Sequence, residues 1–414
     1  MNNFPFYMVC VWLFVIVGRP QDIFDWLKVI HPGDIAAGLA IGSFFLTGAR
    51  RGSRSFSPEL KLFLALFLIA IVCTPFGYYP KRSIGHLWGF FGKIFILLFL
   101  ISNLVNTEKR VKTLVNTIIL SGFVMAVAAI IGKASQAGRI QVGSTYDPND
   151  LAMVMVIALP IALIEIVQSR SRSWKVFCLV SSILFLATII ATQSRGGLLG
   201  LLVIAVMFFF MRGMPIPKGK ILILLALLAT LFYVNLSPQY KERIQTIFEQ
   251  RFSDMQAGSG RILIWRRALV IARDNPFLGV GPDCFMSAYG DYIEKGKFPE
   301  PLYEEGDWSG WQTAHNSYLL VLTELGIFGF VIYLAIVMGS FRNLNRLAKR
   351  PISDDTSINF GPLATGLKIS LSAFLICAFF LSQAYNVVPF LYYVLSGQII
   401  RMVAAQEEEK TSRT

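Results

Sequence analysis

Long apolar runs recur along nearly the whole of this chain, separated by short polar connections, and this recurrence fixes the solvent before anything else. In hydrocarbon no water satisfies a backbone N–H or C=O, so a run of about twenty apolar residues folds as a helix that pairs its own polar groups. A composition of 55% hydrophobic and 15% charged residues excludes an ordinary soluble domain. The chain therefore reads as an all-α polytopic membrane protein. About twelve transmembrane helices are expected, near 4–18, 35–48, 60–78, 83–105, 111–132, 151–169, 174–193, 196–212, 220–236, 316–341, 363–385 and 387–403. The first two are short for a crossing. Met1-Asn2-Asn3 places no Lys or Arg before the first run and no small-residue cleavage site follows it, so that segment is expected to stay rather than leave as a signal peptide.

Orientation follows from the connections. Arg50, Arg51 and Arg54, then Lys109, Arg110 and Lys112, then Arg170, Arg172 and Lys175, then Lys218 and Lys220, then Arg342, Arg346, Lys349 and Arg350 fall in every second one. This positive-inside pattern predicts cytoplasmic termini and puts the one long connection, Ser237 to Ala314, on the outer face. That loop carries nine Lys and Arg against eleven Asp and Glu, although the chain as a whole is +13. The basic excess thus reports orientation, and no nucleic-acid partner is implied. The expected organisation is 1–236, N-terminal transmembrane helices in about nine spans; 237–314, the long loop; 315–403, C-terminal helices in about three spans; and 404–414, a cytoplasmic tail. The loop is partly helical in this reading. Arg261 to Ala272 is rich in helix formers, follows Ser259 as an N-cap and stops at the turn pair Asn275-Pro276, with Gly279, Gly281 and Pro282 beyond. Cys10, Cys73, Cys178 and Cys377 lie in apolar runs and Cys284 is alone in the loop, which gives neither a disulfide framework nor metal-ligand spacing.

Three basic residues then fall on the outer face. Arg195 sits in the tight turn Gln193-Ser194-Arg195-Gly196-Gly197, where an arginine is costly unless paired or snorkelling, and where the glycine pair would admit a large ligand. Arg261 shares a helix face with Trp265 and Leu269. His315 stands where a polar loop enters a long apolar helix, so its imidazole can take a proton from a nucleophile without full burial. Each has a plainer reading: a snorkelling anchor, a local salt bridge, and a neighbour of the helix cap Asn316. The preceding outer loop adds Arg139 and Tyr146-Asp147-Pro148-Asn149-Asp150, in which Asn149 or Asp150 also reads as a helix cap. His31 and His86 read as structural. Convergence of Arg195, Arg261 and His315 on one face favours a joint role, because two guanidiniums can neutralise a pyrophosphate leaving group while a neutral imidazole deprotonates an acceptor hydroxyl. No Asp-x-Asp element lies on the outer side, so neither a metal nor any other cofactor is expected.

His315-Asn316, nine residues, and then Gly326-Ile327-Phe328-Gly329 resembles the His-[Asn/Ser/Gln]-x9-Gly-x-x-[Gly/Thr/Tyr] pattern of the O-antigen ligase and O-antigen polymerase superfamily. Ser194-Arg195-Gly196-Gly197 and Arg261-x3-Trp265 look like its companion motifs, and the resemblance covers about residues 140–335, the first 130 matching only in hydropathy. It implies a GT-C-like membrane glycosyltransferase of the bacterial inner membrane with a periplasmic long loop. It further implies inverting transfer of a glycan from undecaprenyl pyrophosphate, with Arg195 and Arg261 on the pyrophosphate and His315 as general base. Arg139, Asn149, Trp265, Asn316, Gly326 and Gly329 would be supporting residues. The partners implied are the lipid-linked glycan donor, a lipid A core or glycan acceptor, and membrane lipids. Ligation to lipid A core is the favoured reaction; repeat-unit polymerisation and protein O-glycosylation stay open. The rival from another class is a secondary transporter, for which Lys93, Glu165, Glu324 and Lys368 are the intramembrane ionisable candidates.

Overall fold

Helix starts in this chain are written locally, by a short polar side chain just ahead of an apolar run. In the computed structural model, Ser57, Thr107, Asp147, Ser171, Ser194 and Asn316 each accept a backbone N–H of the first turn they precede. The structure describes residues 3–47, 56–132, 139–143, 147–211, 260–299, 312–350 and 359–411. The expected span 220–236 and the expected cap Ser259 lie outside them.

In chain order the helices are α1 (Phe4–Gly18), α2 (Pro20–Ile23), α3 (Trp26–Val29), α4 (Pro32–Leu46), α5 (Pro58–Cys73), α6 (Pro80–His86), a π-helical turn (Leu87–Gly92) and α7 (Lys93–Leu104). They continue with α8 (Glu108–Ile131), α9 (Pro148–Gln168), α10 (Arg172–Ala191), α11 (Arg195–Phe210), α12 (Gly260–Asp274), α13 (Phe285–Glu294), α14 (Ser317–Ala348), α15 (Gly361–Ala378) and α16 (Val387–Thr411). Among the described residues, eight helical segments are long and apolar enough to cross a membrane, and α1, α4 and α11 are shorter apolar helices. The all-α membrane class stands, while the count of twelve spans and a GT-C-like arrangement go further than the described residues do. One boundary differs from expectation: the span drawn to 385 ends at Ala378, and residues 379–386 form turns. Ser382 and Gln383 give that stretch polar groups that bond elsewhere in the fold, to His315, Ser317 and Asp150.

α9 is the axis of the bundle, 78% of its most apolar stretch being buried, with α8, α10, α11 and α15 packed around it. Small residues set these approaches, as membrane helices require when lipid is as apolar as their own surfaces. A Cβ on Gly197 would stand 2.7 Å from Ala152, one on Gly200 2.8 Å from Val156, and one on Gly122 3.0 Å from Ala158. α14 packs on α5, α12, α15 and α16. Alternation of helix direction gathers the starts of α9, α11, α14 and α16 at one end, the His315 end. Ion pairing of Arg401 with Glu59 at 2.7 Å and the bond from Lys368 to Asn345 at 3.2 Å mark the other.

Candidate functional site

His315 precedes the cap of α14 and has a left-handed backbone, φ 45°. Such a conformation is costly for a residue with a Cβ and persists only where neighbours hold it. They do so here. Its backbone N–H donates to Ser382 Oγ at 2.9 Å, and its Nε2 lies 3.1 Å from Thr313 Oγ1. On one side Ala314 C=O accepts Trp265 Nε1–H at 3.1 Å. On the other, Asn316 Oδ1 caps α14 through the N–H groups of Tyr318 and Leu319. Ser317 Oγ donates to Leu381 C=O at 2.7 Å and accepts Gln383 N–H at 2.9 Å. The segment before α14 is thereby laced to the 379–386 turn, while Trp265 packs edge-on against Phe379 with ring centroids 5.2 Å apart.

Arg195 opens α11 and is exposed, where the helix N-terminus and the guanidinium both favour an anion. Arg261 stands in the first turn of α12, and among the described residues no carboxylate bridges it. Burial first, and the nearby charge of Arg195 second, push the Arg261 guanidinium below the ordinary arginine value, with Asp147 opposing. Burial, then the charge of Arg261, likewise holds the His315 imidazole below its usual 6.5, again with Asp147 opposing. Arg195, Arg261, His315 and Asp147 therefore share one electrostatic neighbourhood. Burial and the Arg261 guanidinium thus both favour the neutral form of the imidazole.

Other expectations are revised by the geometry. Gly197 serves helix packing, abutting Ala152, while Gly196 C=O accepts from Cys377 Sγ at 3.2 Å. Leu269, placed by its spacing on the Arg261–Trp265 face, is 52% exposed, and α12 buries Ile264, Ala268 and Ile271 instead. The cap of α9 is Asp147, which accepts the N–H groups of Asn149 and Asp150, rather than either of those two residues. Arg139 donates to Thr192 C=O at 2.8 Å and to Asn149 Oδ1 at 3.1 Å, tying the start of α9 to the end of α10.

Gly326 and Gly329 also turn out to be architectural. α14 breaks at Gly326, with φ 63° and ψ −167°, and the Asn275–Gly281 turn docks into the break. Val280 N–H donates to Thr323 C=O, Gly281 N–H to Glu324 C=O and Ile327 N–H to Pro276 C=O, so the groups freed by the break are paired again. A Cβ on Gly326 would fall 2.2 Å from Phe277 O, and one on Gly329 2.3 Å from Leu325 Cβ. Beneath the clamp, Glu324 is buried, accepting Phe285 N–H at 3.1 Å and Tyr385 O–H at 2.8 Å. Sequence reading missed Ser382 and Gln383 because they meet His315 and Ser317 across more than sixty residues and carry no motif. Gln383 also donates to Asp150 at 2.9 Å.

With this geometry in place, residues 180–334 match the family described as O-Antigen ligase, which contains Arg195, Arg261, Trp265, His315, Asn316, Gly326 and Gly329, and leaves out Arg139 and Asn149. Residues 2–163 match a second family model, Family of unknown function (DUF5935). Among curated proteins none matches the chain. The O-antigen ligase match marks a multi-pass membrane protein of the glycosyltransferase kind, with a lipid-linked glycan and an acceptor as its substrates. Residues 180–334 thus carry an O-antigen ligase domain match, which supports the O-antigen ligase superfamily for that part of the chain.

Proposed function

We propose that the protein transfers a glycan from undecaprenyl pyrophosphate to an acceptor hydroxyl, with inversion and without a metal, at the periplasmic face of the bacterial inner membrane. The reaction we favour is O-antigen ligation to lipid A core. The observation that carries this reading is the shared neighbourhood of Arg195, Arg261 and His315 at one end of the bundle. In the mechanism, Arg195, Arg261 and the α11 N-terminus hold the pyrophosphate. Nε2 of His315 lies 3.1 Å from Thr313 Oγ1; in the tautomer that donates Nε2–H to that oxygen, Nδ1 is the basic nitrogen and takes the proton of the acceptor hydroxyl. The acceptor oxygen forms its bond to the anomeric carbon as the bond from that carbon to the phosphate oxygen breaks. Undecaprenyl pyrophosphate leaves from the opposite face, its growing charge met by the two guanidiniums.

The intramembrane ionisable groups that would serve a transporter have other work in this fold. Lys93 pairs with Asp34, Glu165 accepts Trp174 Nε1–H, Lys368 bonds Asn345, and Glu324 holds the clamp.

The test is glycan transfer in vesicles carrying a lipid-pyrophosphate-linked glycan and a defined lipid A core acceptor, with wild type beside His315→Ala at matched membrane levels. Core-linked product that disappears in the variant supports ligation through His315. Lengthened lipid-linked chains without core transfer make the protein a polymerase, and absence of any transfer by wild type overturns the reading.

A further inference from the structure

The 379–386 turn has a second face. A cavity of about 450 Å³ lies between α1, the π-helical turn, α9 and α16, and Ser382 and Gln383 form part of its wall. Its volume is in the range of small-molecule sites. Two of its lining residues, Gln21 and His86, each bury a polar atom, Oε1 and Nε2, that has no hydrogen-bond partner among the described residues. Buried polar atoms are almost always paired, so two unpaired ones on one cavity mark a place where something else completes the bonding. Aromatic side chains flank them. The His86 ring lies 5.3 Å from Phe90 and 5.2 Å from Tyr385, both lining residues, and Trp12 lines the cavity from α1. Its floor is apolar, with Ile94, Val154 and Ile157.

Ligand class follows from elimination. An acyl chain would leave Gln21 Oε1 and His86 Nε2 unpaired. A phosphate would need a cation, yet the two lining cations, Arg19 and Lys93, are already paired, with Asp22 at 2.6 Å and with Asp34 at 2.5 Å. A sugar ring presents hydroxyl donors and acceptors at its edge and C–H groups on its faces, which matches amide and imidazole atoms set among aromatic rings. The local backbone fits a site as well. Leu87–Gly92 is π-helical, a form that recurs at functional positions, and a Cβ on Gly89 would meet nothing within 4 Å. We propose that this cavity is a sugar-binding subsite, separated from His315 by the single turn whose Ser382 Oγ holds the His315 N–H. Whether its sugar belongs to the donor or the acceptor rests on the transfer reading above; the site itself does not.

The experiment uses the full chain in detergent, with tryptophan fluorescence followed as glucose or N-acetylglucosamine is added and glycerol as the control. A saturable change with either sugar is expected, absent with glycerol and lost in Trp12→Phe. Gly89→Leu, which fills open space, should weaken it by about tenfold or more at unchanged thermal stability. Gln21→Ala should weaken it too, and serves if Gly89→Leu fails to fold. No saturable change with either sugar, a change that survives Trp12→Phe, or equal binding by wild type and both cavity variants overturns the subsite. In the vesicle assay, a raised KM for the core acceptor in Gln21→Ala assigns the sugar to the acceptor, and a raised KM for the lipid-linked donor assigns it to the donor. Sugar binding by a wild type that transfers nothing sinks the transfer reading and leaves the subsite standing.

Discussion

Two regions meet beside the 379–386 turn and are built by opposite means. The clamp at Gly326 is made almost wholly of main chain: Val280, Gly281 and Ile327 donate backbone N–H groups, and Gly279, Gly281 and Gly326 have φ of 65°, 96° and 63°. The site around His315 is made of side chains: Arg261 feels the charge of Arg195 and His315 that of Arg261, with Asp147 opposing in both cases. The first admits no new atom, whereas the second tolerates truncation sterically and loses only chemistry. Damage to one should therefore appear in folding and damage to the other in turnover.

The largest effect expected is Gly326→Val. A Cβ there meets Phe277 O at 2.2 Å on a left-handed backbone, and a β-branched residue should cost more than about 4 kcal/mol, so monodisperse protein is lost from detergent extracts. Next, Arg195→Ala or Arg261→Ala should lower transfer about 10²- to 10³-fold with an unchanged melting temperature. A collapse of stability in either would erase the distinction between the two regions. Glu324 sits between them: removing its carboxylate in Glu324→Ala leaves Phe285 N–H and Tyr385 O–H buried and unpaired, costing about 1–3 kcal/mol by denaturation, while Glu324→Gln keeps one acceptor and loses less.

A subtler separation comes from pH. Burial and Arg261 hold the His315 pKa below 6.5, so the neutral imidazole persists as pH falls below that value. Arg261→Gln removes a cation that opposes protonation, so the His315 pKa should rise and the base should be lost at a higher pH. The chain has only three histidines, and NMR titration of the labelled imidazoles reads this without turnover, with His31 and His86 as internal references. A His315 pKa that stays or falls in Arg261→Gln would dissolve the shared neighbourhood. The smallest effect is expected of Asp147→Ala, at about 1 kcal/mol for the lost cap of α9 together with a slight further fall in the His315 pKa.

What could be read from sequence follows the range of the interactions. Apolar runs set the helices and short polar residues start them, both over a few residues, and alternating basic clusters gave the expectation that Arg195, Arg261 and His315 share one face. Contacts made across the fold were hidden. Ser382 lay inside an expected span because Leu381 and its neighbours continue the apolar run, whereas the stretch beyond Ala378 is bonded through Leu381, Ser382 and Gln383 to the segment before α14. Gly196-Gly197 looked like room for a ligand because spacing alone does not separate space for a substrate from space for Ala152. Gly326 and Gly329 were legible as a motif, while their purpose required the docked turn.

Main-chain bonds are indifferent to side-chain identity, and the clamp at Gly326 is made of them. Mutational drift on the outward faces of α12 and α13 leaves that anchor intact provided the glycines stay. Residues around the neighbouring cavity can then diversify while His315 keeps its place. An architecture of this sort lets a lineage revise what it recognises without rebuilding how it reacts.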